Sequence, residues 1–478
     1  MPEPDSLRKT KIVATIGPAS APPEILGQMI DAGLNVARLN FSHGDHESHR
    51  RVISELRALA ARRGREVGIL QDLSGPKIRL GAITERRLET GDRIRLVSGT
   101  GDAPPNELTV NYEFLTEDVA EGSRILLADG TMELKITGKD GQGLDAEVLT
   151  GGVISAHKGV NLPDSSLSIK AFTEKDKLDL VCGLDAGVDF VAMSFVRHED
   201  DLKPVRELIR RSGSPPLLIA KIEKPQALGR LDQILDVADG IMVARGDLGV
   251  EMALEDVPHI QKRLIQAARH RGKLVITATQ MLASMVSSPR PTRAEVTDVA
   301  NAILDGTDAV MLSDETAVGQ FPVEAVAMLG RVARVAEPSI DAGRFMAEPA
   351  AHQLDAMGAS ITRAVSLLAV ERKAKAIVAV TQGGHTARLI SHLRQQVPVV
   401  GMTSSRTTMR QLTLSWGVIP ALVQSCDSIM LIEQLASEYL VREKLAVKGD
   451  VAFITCGLPL QTSGTTNLIK LLDIGEMS

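Results

Sequence analysis

The chain has 478 residues, 44% hydrophobic and 24% charged, a net charge of −6 and a pI near 6. At roughly 100–200 residues per domain this length calls for about three folded units, and the apolar content excludes disorder. The acidic balance argues against nucleic acid or an acidic membrane as a partner, while leaving room for a local basic pocket that binds a phosphorylated small molecule. Only Cys182, Cys426 and Cys456 occur, widely spaced, so neither a disulfide framework nor a zinc site is expected. Residues 1–11 lack the apolar core of a signal peptide, and no run reaches the ~20 apolar residues of a spanning helix. A cytoplasmic location is expected.

In chain order, short apolar strands are predicted at 11–17, 35–41, 67–73, 188–195, 217–223, 240–247, 274–281 and 309–316. Helical spacing fills most of the intervals, as at 22–32 and 48–63. Strand–helix alternation implies crossovers and a parallel sheet, and eight such units fit a (β/α)8 TIM barrel with its chemistry at the C-terminal strand ends. Polar residues gather at those ends: Arg38, Asn40, Asp72, Ser194, Lys221, Glu223, Arg245, Asp247, Thr279 and Ser313.

The rhythm breaks once, after the third strand. Residues 74–169 carry short Val/Ile/Leu runs at 93–97, 124–127 and 144–149 between glycine-rich turns, the pattern of an inserted small β-barrel domain placed as a lid on the active face. The barrel is thus expected to be discontinuous, covering 1–73 and 170–340. Residues 341–478, introduced by a linker between Pro338 and Pro349, read as a C-terminal α/β domain with strands at 376–381, 397–403, 418–422 and 451–456.

Alternation turns Lys221 and Glu223 of Lys221-Ile222-Glu223 to one side of the fifth strand. Alone they would also make a structural ion pair. Asp247 in the neighbouring Arg245-Gly246-Asp247 adds a second carboxylate, and two carboxylates suit Mg²⁺ completed by substrate oxygens and water. Arg38, Asn40 and Ser42 share a face of the second strand, where an arginine fork fits phosphate. Asp72 ends the third strand, with Lys77 and Arg79 just beyond. Gly383-Gly384-His385-Thr386 is a glycine-rich turn of anion-binding type. His43, in a polar loop, reads equally as a solvated surface residue. No Ser–His–Asp or Cys–His nucleophile arrangement is present.

Six segments in order, RLNFSHG, KGVNLP, KIEKPQAL, MVARGDLGVE, ATQMLASM and PRPTRAEVTDVANAILDGTDAVML, resemble the pyruvate kinase family from about Thr10 to Ile474. The resemblance implies a phosphotransferase that moves a phosphoryl group between phosphoenolpyruvate and ADP/ATP. It implies that Arg38 contacts the substrate phosphate, that Glu223 and Asp247 hold Mg²⁺ (or Mn²⁺), and that Lys221 stabilises the transferred group and the enolate. Gly246, Asp247, Thr279 and Ser313 match substrate positions, with Thr279 as proton relay. Asn40, His43, Arg79 and Lys158 match nucleotide positions.

K⁺-dependent members carry Glu where this chain has Lys77, and a polar residue where it has Leu73, while the K⁺ positions Asn40, Ser42 and Asp72 are kept. The Lys77 ammonium is expected to replace K⁺. Asp314 stands where glycine is frequent. Thr381, Gly383, Gly384, His385 and Thr386, with Ser463, Gly464 and Thr465, resemble two effector loops, implying a sugar-phosphate activator. A homotetramer is expected, without a further C-terminal phosphotransfer-like domain. Two rivals remain at this point: another Mg²⁺–enolate barrel enzyme such as a phosphoenolpyruvate mutase or aldolase-like lyase, and a non-catalytic metabolite-binding protein.

Overall fold

A computed structural model describes residues 8–347, 356–460 and 466–475. The chain opens with β1 (Lys11–Thr15), β2 (Val36–Asn40) and β3 (Gly68–Leu73), separated by the helices Pro23–Ala32 and His46–Arg62. Asp45 caps the second helix by accepting from Ser48 N at 2.7 Å. The insert follows, with β4 (Arg86–Leu88), β5 (Arg93–Ser98), β6 (Glu107–Val110), β7 (Arg124–Leu127), β8 (Met132–Lys139), β9 (Leu144–Thr150), β10 (Gly152–Ile154) and β11 (Val160–Asn161). It builds a six-stranded sheet and a two-stranded ribbon around a core of its own that includes Leu96, Leu108, Leu134 and Val148.

The barrel then resumes with β12 (Phe190–Met193), β13 (Leu217–Ile222), β14 (Gly240–Ala244), β15 (Leu274–Ala278) and β16 (Ala309–Leu312). The eight strands close in the order β1-β16-β15-β14-β13-β12-β3-β2. β3 and β12, on either side of the insert in sequence, are parallel neighbours in space, with Asp72 beside Ala192. Val13, Leu70, Phe190, Ile219, Met242 and Ile276 fill the interior, so the barrel is a packed core whose usable surface is its rim.

Three predicted strands run clearly past their observed ends. The sixth stops at Ala244, and Arg245–Glu251 is a helix; the eighth stops at Leu312, and Asp314–Ala317 is helical. Gly246 and Gly249 have little preference for a strand, and the Arg245 guanidinium turns away to Asp298 at 2.6 Å. The seventh ends at Ala278 because Thr279 and Gln280 both take positive φ, +67° and +53°.

The C-terminal region forms a sheet in the order β19-β18-β17-β20-β21 from β17 (Ala376–Val380), β18 (Val399–Thr403), β19 (Val418–Leu422), β20 (Val451–Gly457) and β21 (Thr466–Asp473). The last strand, antiparallel to β20, has no counterpart among the predicted elements. Pro349, the far end of the expected linker, lies outside the described residues. This region packs on the floor of the barrel: Leu414 joins the interior cluster, and Arg394 donates to Asp308 at 2.8 Å with both side chains 0% exposed. A buried pair of this kind gives little net stability but is costly to break, because the surviving charge is left uncompensated. Asp308→Ala should therefore lower stability by about 3–5 kcal/mol, read as a downward shift in thermal or denaturant midpoint.

Candidate active site

The centre of the rim is an ammonium among carboxylates. Lys221 Nζ lies 2.8 Å from Glu223 Oε1, 3.3 Å from Asp72 Oδ1, and donates to Ser194 Oγ at 2.7 Å. These groups come from β13, from β3, and from the ends of β13 and β12, so closure of the barrel across the insert is what assembles them. Burial opposes the charge on Lys221, yet Asp72 and Glu223 outweigh it and hold its pKa above the ordinary lysine value. Burial likewise opposes ionisation of Asp72, but Lys221 and Arg38 prevail and hold its pKa below the usual range. Arg38 Nε donates to Asp72 at 2.7 Å and Nη1 to Thr15 Oγ1 at 2.8 Å.

Asp247 behaves in the opposite way. Burial and the neighbouring Glu223 push its carboxyl up to about 6, against the pull of Lys221 and Lys224. Glu223 is itself 1% exposed, and its Oε2 accepts from Phe195 N at 2.8 Å. Two crowded carboxylates, one resisting ionisation, form a donor set whose repulsion a divalent cation relieves. Among the described residues no three or more His, Cys, Asp or Glu side chains gather to hold a metal by themselves. The pair fits Mg²⁺, which is ordinarily held by one or two carboxylates plus substrate oxygens and water.

Thr279 Oγ1 accepts from Gly246 N at 2.7 Å and donates to Ala278 O at 2.6 Å, so two of the residues expected to bind substrate are hydrogen-bonded to each other. Ser313 sits at the end of β16, its N–H donating to Glu315 Oε2 at 2.7 Å. Asn40 Oδ1 accepts from Ser42 N at 3.1 Å, and Ser42 donates to Ser74 at 3.1 Å, beside Asp72. Lys77, Arg79 and Asp247 line one cavity of about 220 Å³ between the insert and the rim. Burial, then Arg79 and Lys221, lowers the Lys77 pKa, while Asp72 supports its charge. His43 is lowered by burial and then by Lys77, Arg79 and Arg38, with Asp314 opposing, so these residues share one electrostatic neighbourhood. Lys158 is exposed on the turn before β11, next to the bridge between Arg79 and Gly159.

In the C-terminal region, Thr381, Gly383, His385 and Thr386 line a separate cavity of about 80 Å³ with Thr403, Ser404 and Thr466. Gly384, at φ +81°, begins the helix His385–His392. Ser463, Gly464 and Thr465 lie outside the described residues.

Comparison with known proteins adds the family. The family described as pyruvate kinase, barrel domain, matches residues 7–326, and pyruvate kinase, alpha/beta domain, matches residues 359–472. The chain belongs to the pyruvate kinase family. A pyruvate kinase of Sporosarcina psychrophila is 46% identical over 476 residues, 98% of this chain and 81% of the relative. Pyruvate kinase 2 of a Synechocystis strain is 46% identical over 471 residues, 97% of this chain and 79% of the relative. The crystal structure of a pyruvate kinase from Cryptosporidium parvum superposes with a TM-score of 0.92 at 36% identity, covering 98% of this chain and 97% of that one. The family is one of phosphotransferases.

Sequence reasoning passed over two residues that organise this rim. Glu315 accepts from both Ser313 N and Leu282 N, and Glu251 bridges Lys224 and Asn161. A signal existed in each case, an acidic residue set next to an apolar run, but its partner is remote in the chain.

The raised Asp247 pKa makes its charge unfavourable above about pH 6. The folded chain there holds a proton more tightly than the unfolded one, so this group's penalty grows as pH rises from about 4 through 6 and is absent at lower pH. In metal-free protein, Asp247→Asn should stabilise by about 2–3 kcal/mol at pH 7.5, with the gain vanishing toward pH 4, as followed by denaturant titrations at the two pH values.

Proposed function

We propose that this chain transfers the phosphoryl group of phosphoenolpyruvate to ADP, giving pyruvate and ATP, with Mg²⁺ held by Glu223 and Asp247. The observation that carries the reading is Lys221, fully embedded among Asp72, Glu223 and Ser194 at the strand ends with Asp247 alongside. Phosphoryl transfer needs positioning and charge stabilisation more than a protein nucleophile, and this rim supplies both. Mg²⁺ bound there supplies Lewis acidity toward phosphoryl and enolate oxygens; Mn²⁺ is an alternative.

The protein's own part follows from the site. Arg38, braced by Asp72 and Thr15, presents its guanidinium to the substrate phosphate. Lys221 keeps its proton throughout and stabilises charge on the group in flight and on the enolate. Gly246 and Ser313 seat the substrate. Thr279, whose hydroxyl donates to Ala278 O, relays a proton to the enolate carbon, taking one up from solvent water as it gives its own away. Asn40, His43, Arg79 and Lys158 receive the nucleotide. We take 1–73 and 170–340 as the catalytic barrel, 74–169 as a lid that excludes water on closing, and 341–478 as a regulatory domain. The cavity at Thr381–Thr386 is the seat of a sugar-phosphate activator, and the enzyme is a cytoplasmic homotetramer. No described helix is long and apolar enough to cross a membrane.

Lys77 takes the place of K⁺. Asp72 supports the charge of its ammonium, which supplies the positive charge a monovalent cation would otherwise bring.

A coupled assay for pyruvate formed from phosphoenolpyruvate and ADP tests the activity and separates it from the mutase, lyase and non-catalytic readings. In that assay Lys221→Met should lose about 10³-fold in kcat, as for removal of a preorganised stabilising group. With a bulky inert cation in place of K⁺ and Na⁺, the unmodified chain should keep most of its rate. Lys77→Glu should lose at least about tenfold and regain it on adding K⁺, a cost of about 1.4 kcal/mol.

A further inference from the structure

The rim helix Arg245–Glu251 carries Gly246 and Asp247 in its first turn, and different parts of the molecule hold its two ends. At the start, Arg245 Nη1 lies 2.6 Å from Asp298 Oδ2 and Nη2 donates to Thr279 O at 2.8 Å, which ties the helix to the barrel. At the far end, Glu251 Oε1 accepts from Lys224 Nζ at 2.5 Å and from Asn161 Nδ2 at 2.9 Å. Lys224 follows Glu223 directly, whereas Asn161 belongs to β11 of the insert. The Lys224 and Glu251 side chains are 8% and 2% exposed, so the ion pair is dry and its remaining hydrogen-bonding capacity matters. The insert touches the same helix a second time: a β-carbon added at Gly130 would stand 3.4 Å from Val250 Cγ1.

Helical spacing puts Asp247 and Glu251, four residues apart, on one face. Lys224, Asn161 and Asp247 all line the cavity between insert and rim. None of the roles assigned above uses Glu251, yet its carboxylate is where the insert, the residue after one metal carboxylate, and the helix bearing the other meet.

We infer that Glu251 is a positioning residue that joins the lid to the metal-binding pair: through Asn161 and Lys224 it makes the seating of the insert a determinant of where Asp247 stands relative to Glu223. This rests on the reading of Glu223 and Asp247 as the Mg²⁺ ligands. Moving the insert would withdraw Asn161, leave the Glu251 carboxylate with one buried donor, and loosen the helix at the end opposite its barrel anchor. Metal affinity and lid position are then two readouts of one contact.

The test is direct Mn²⁺ binding to the substrate-free full chain, from the amplitude of the free-ion electron paramagnetic resonance signal. Glu251→Gln and Asn161→Ala should each weaken binding at least about fivefold, and the double variant should bind no more than twofold more weakly than Glu251→Gln, because the two side chains act as one unit. Asn161→Ala, at the half-buried edge of the insert, serves on its own if Glu251→Gln fails to fold. Affinities within twofold of the unmodified chain in the folded single variants overturn the inference. If the unmodified chain binds no Mn²⁺, the metal reading itself falls, and the inference with it.

Discussion

One buried ammonium organises the active face. Lys221 is surrounded by Asp72, Glu223 and Ser194 from three adjacent strands, and each carboxylate is nearly inaccessible to water. Charges so placed are tolerable only together: removing the ammonium would strand two buried carboxylates, and removing either carboxylate would strand part of its charge. The arrangement requires β3, β12 and β13 to be neighbours, although about a hundred residues separate the first two in the chain. The long insert therefore has to leave and re-enter the barrel at one point. Its exit turns at Gly75, at φ +63°, whose N–H donates to Asp176 Oδ1 at 3.0 Å on the returning side.

The charge balance around Lys221 is incomplete, and the site chemistry follows from that. Lys221 and Arg38 hold Asp72 ionised, whereas burial and then the neighbouring Glu223 make Asp247 resist ionisation despite Lys221. A divalent cation removes that conflict. Lys77 brings a second ammonium to the mouth, opposed by burial and by Arg79, Lys221 and Lys175 and supported by Asp72. The rim is thus acidic around Glu223 and Asp247 and basic around Lys77 and Arg79, a separation that suits a reaction moving negative charge from one substrate to another.

The parts of this architecture visible in the sequence are those with a short-range signature. Eight apolar runs with polar ends revealed the barrel, and the change from helical intervals to glycine-punctuated β runs revealed the insert. Lys221, Glu223, Asp72 and Arg38 stood out because strand alternation assigns their faces without any knowledge of neighbours. Strand ends were less legible. Arg245-Gly246-Asp247 reads as a strand terminus until one sees that Arg245 finds Asp298 and that Gly246 N finds Thr279 Oγ1, contacts spanning dozens of residues. The Glu251–Lys224–Asn161 junction was hidden for the same reason, since a buried carboxylate cannot be told from a surface one before its partners are known. β21 went unrecognised because Asn467 and Lys470 interrupt a run that is only an edge strand.

The central claim is that Glu223 and Asp247 together complete a single divalent-cation site beside Lys221. Calorimetric titration of Mg²⁺ into the metal-free chain addresses it most directly. The account predicts one ion per chain, with binding lost or weakened by more than about tenfold in both Glu223→Gln and Asp247→Asn while each variant remains folded. Undiminished Mg²⁺ binding in both variants would contradict it.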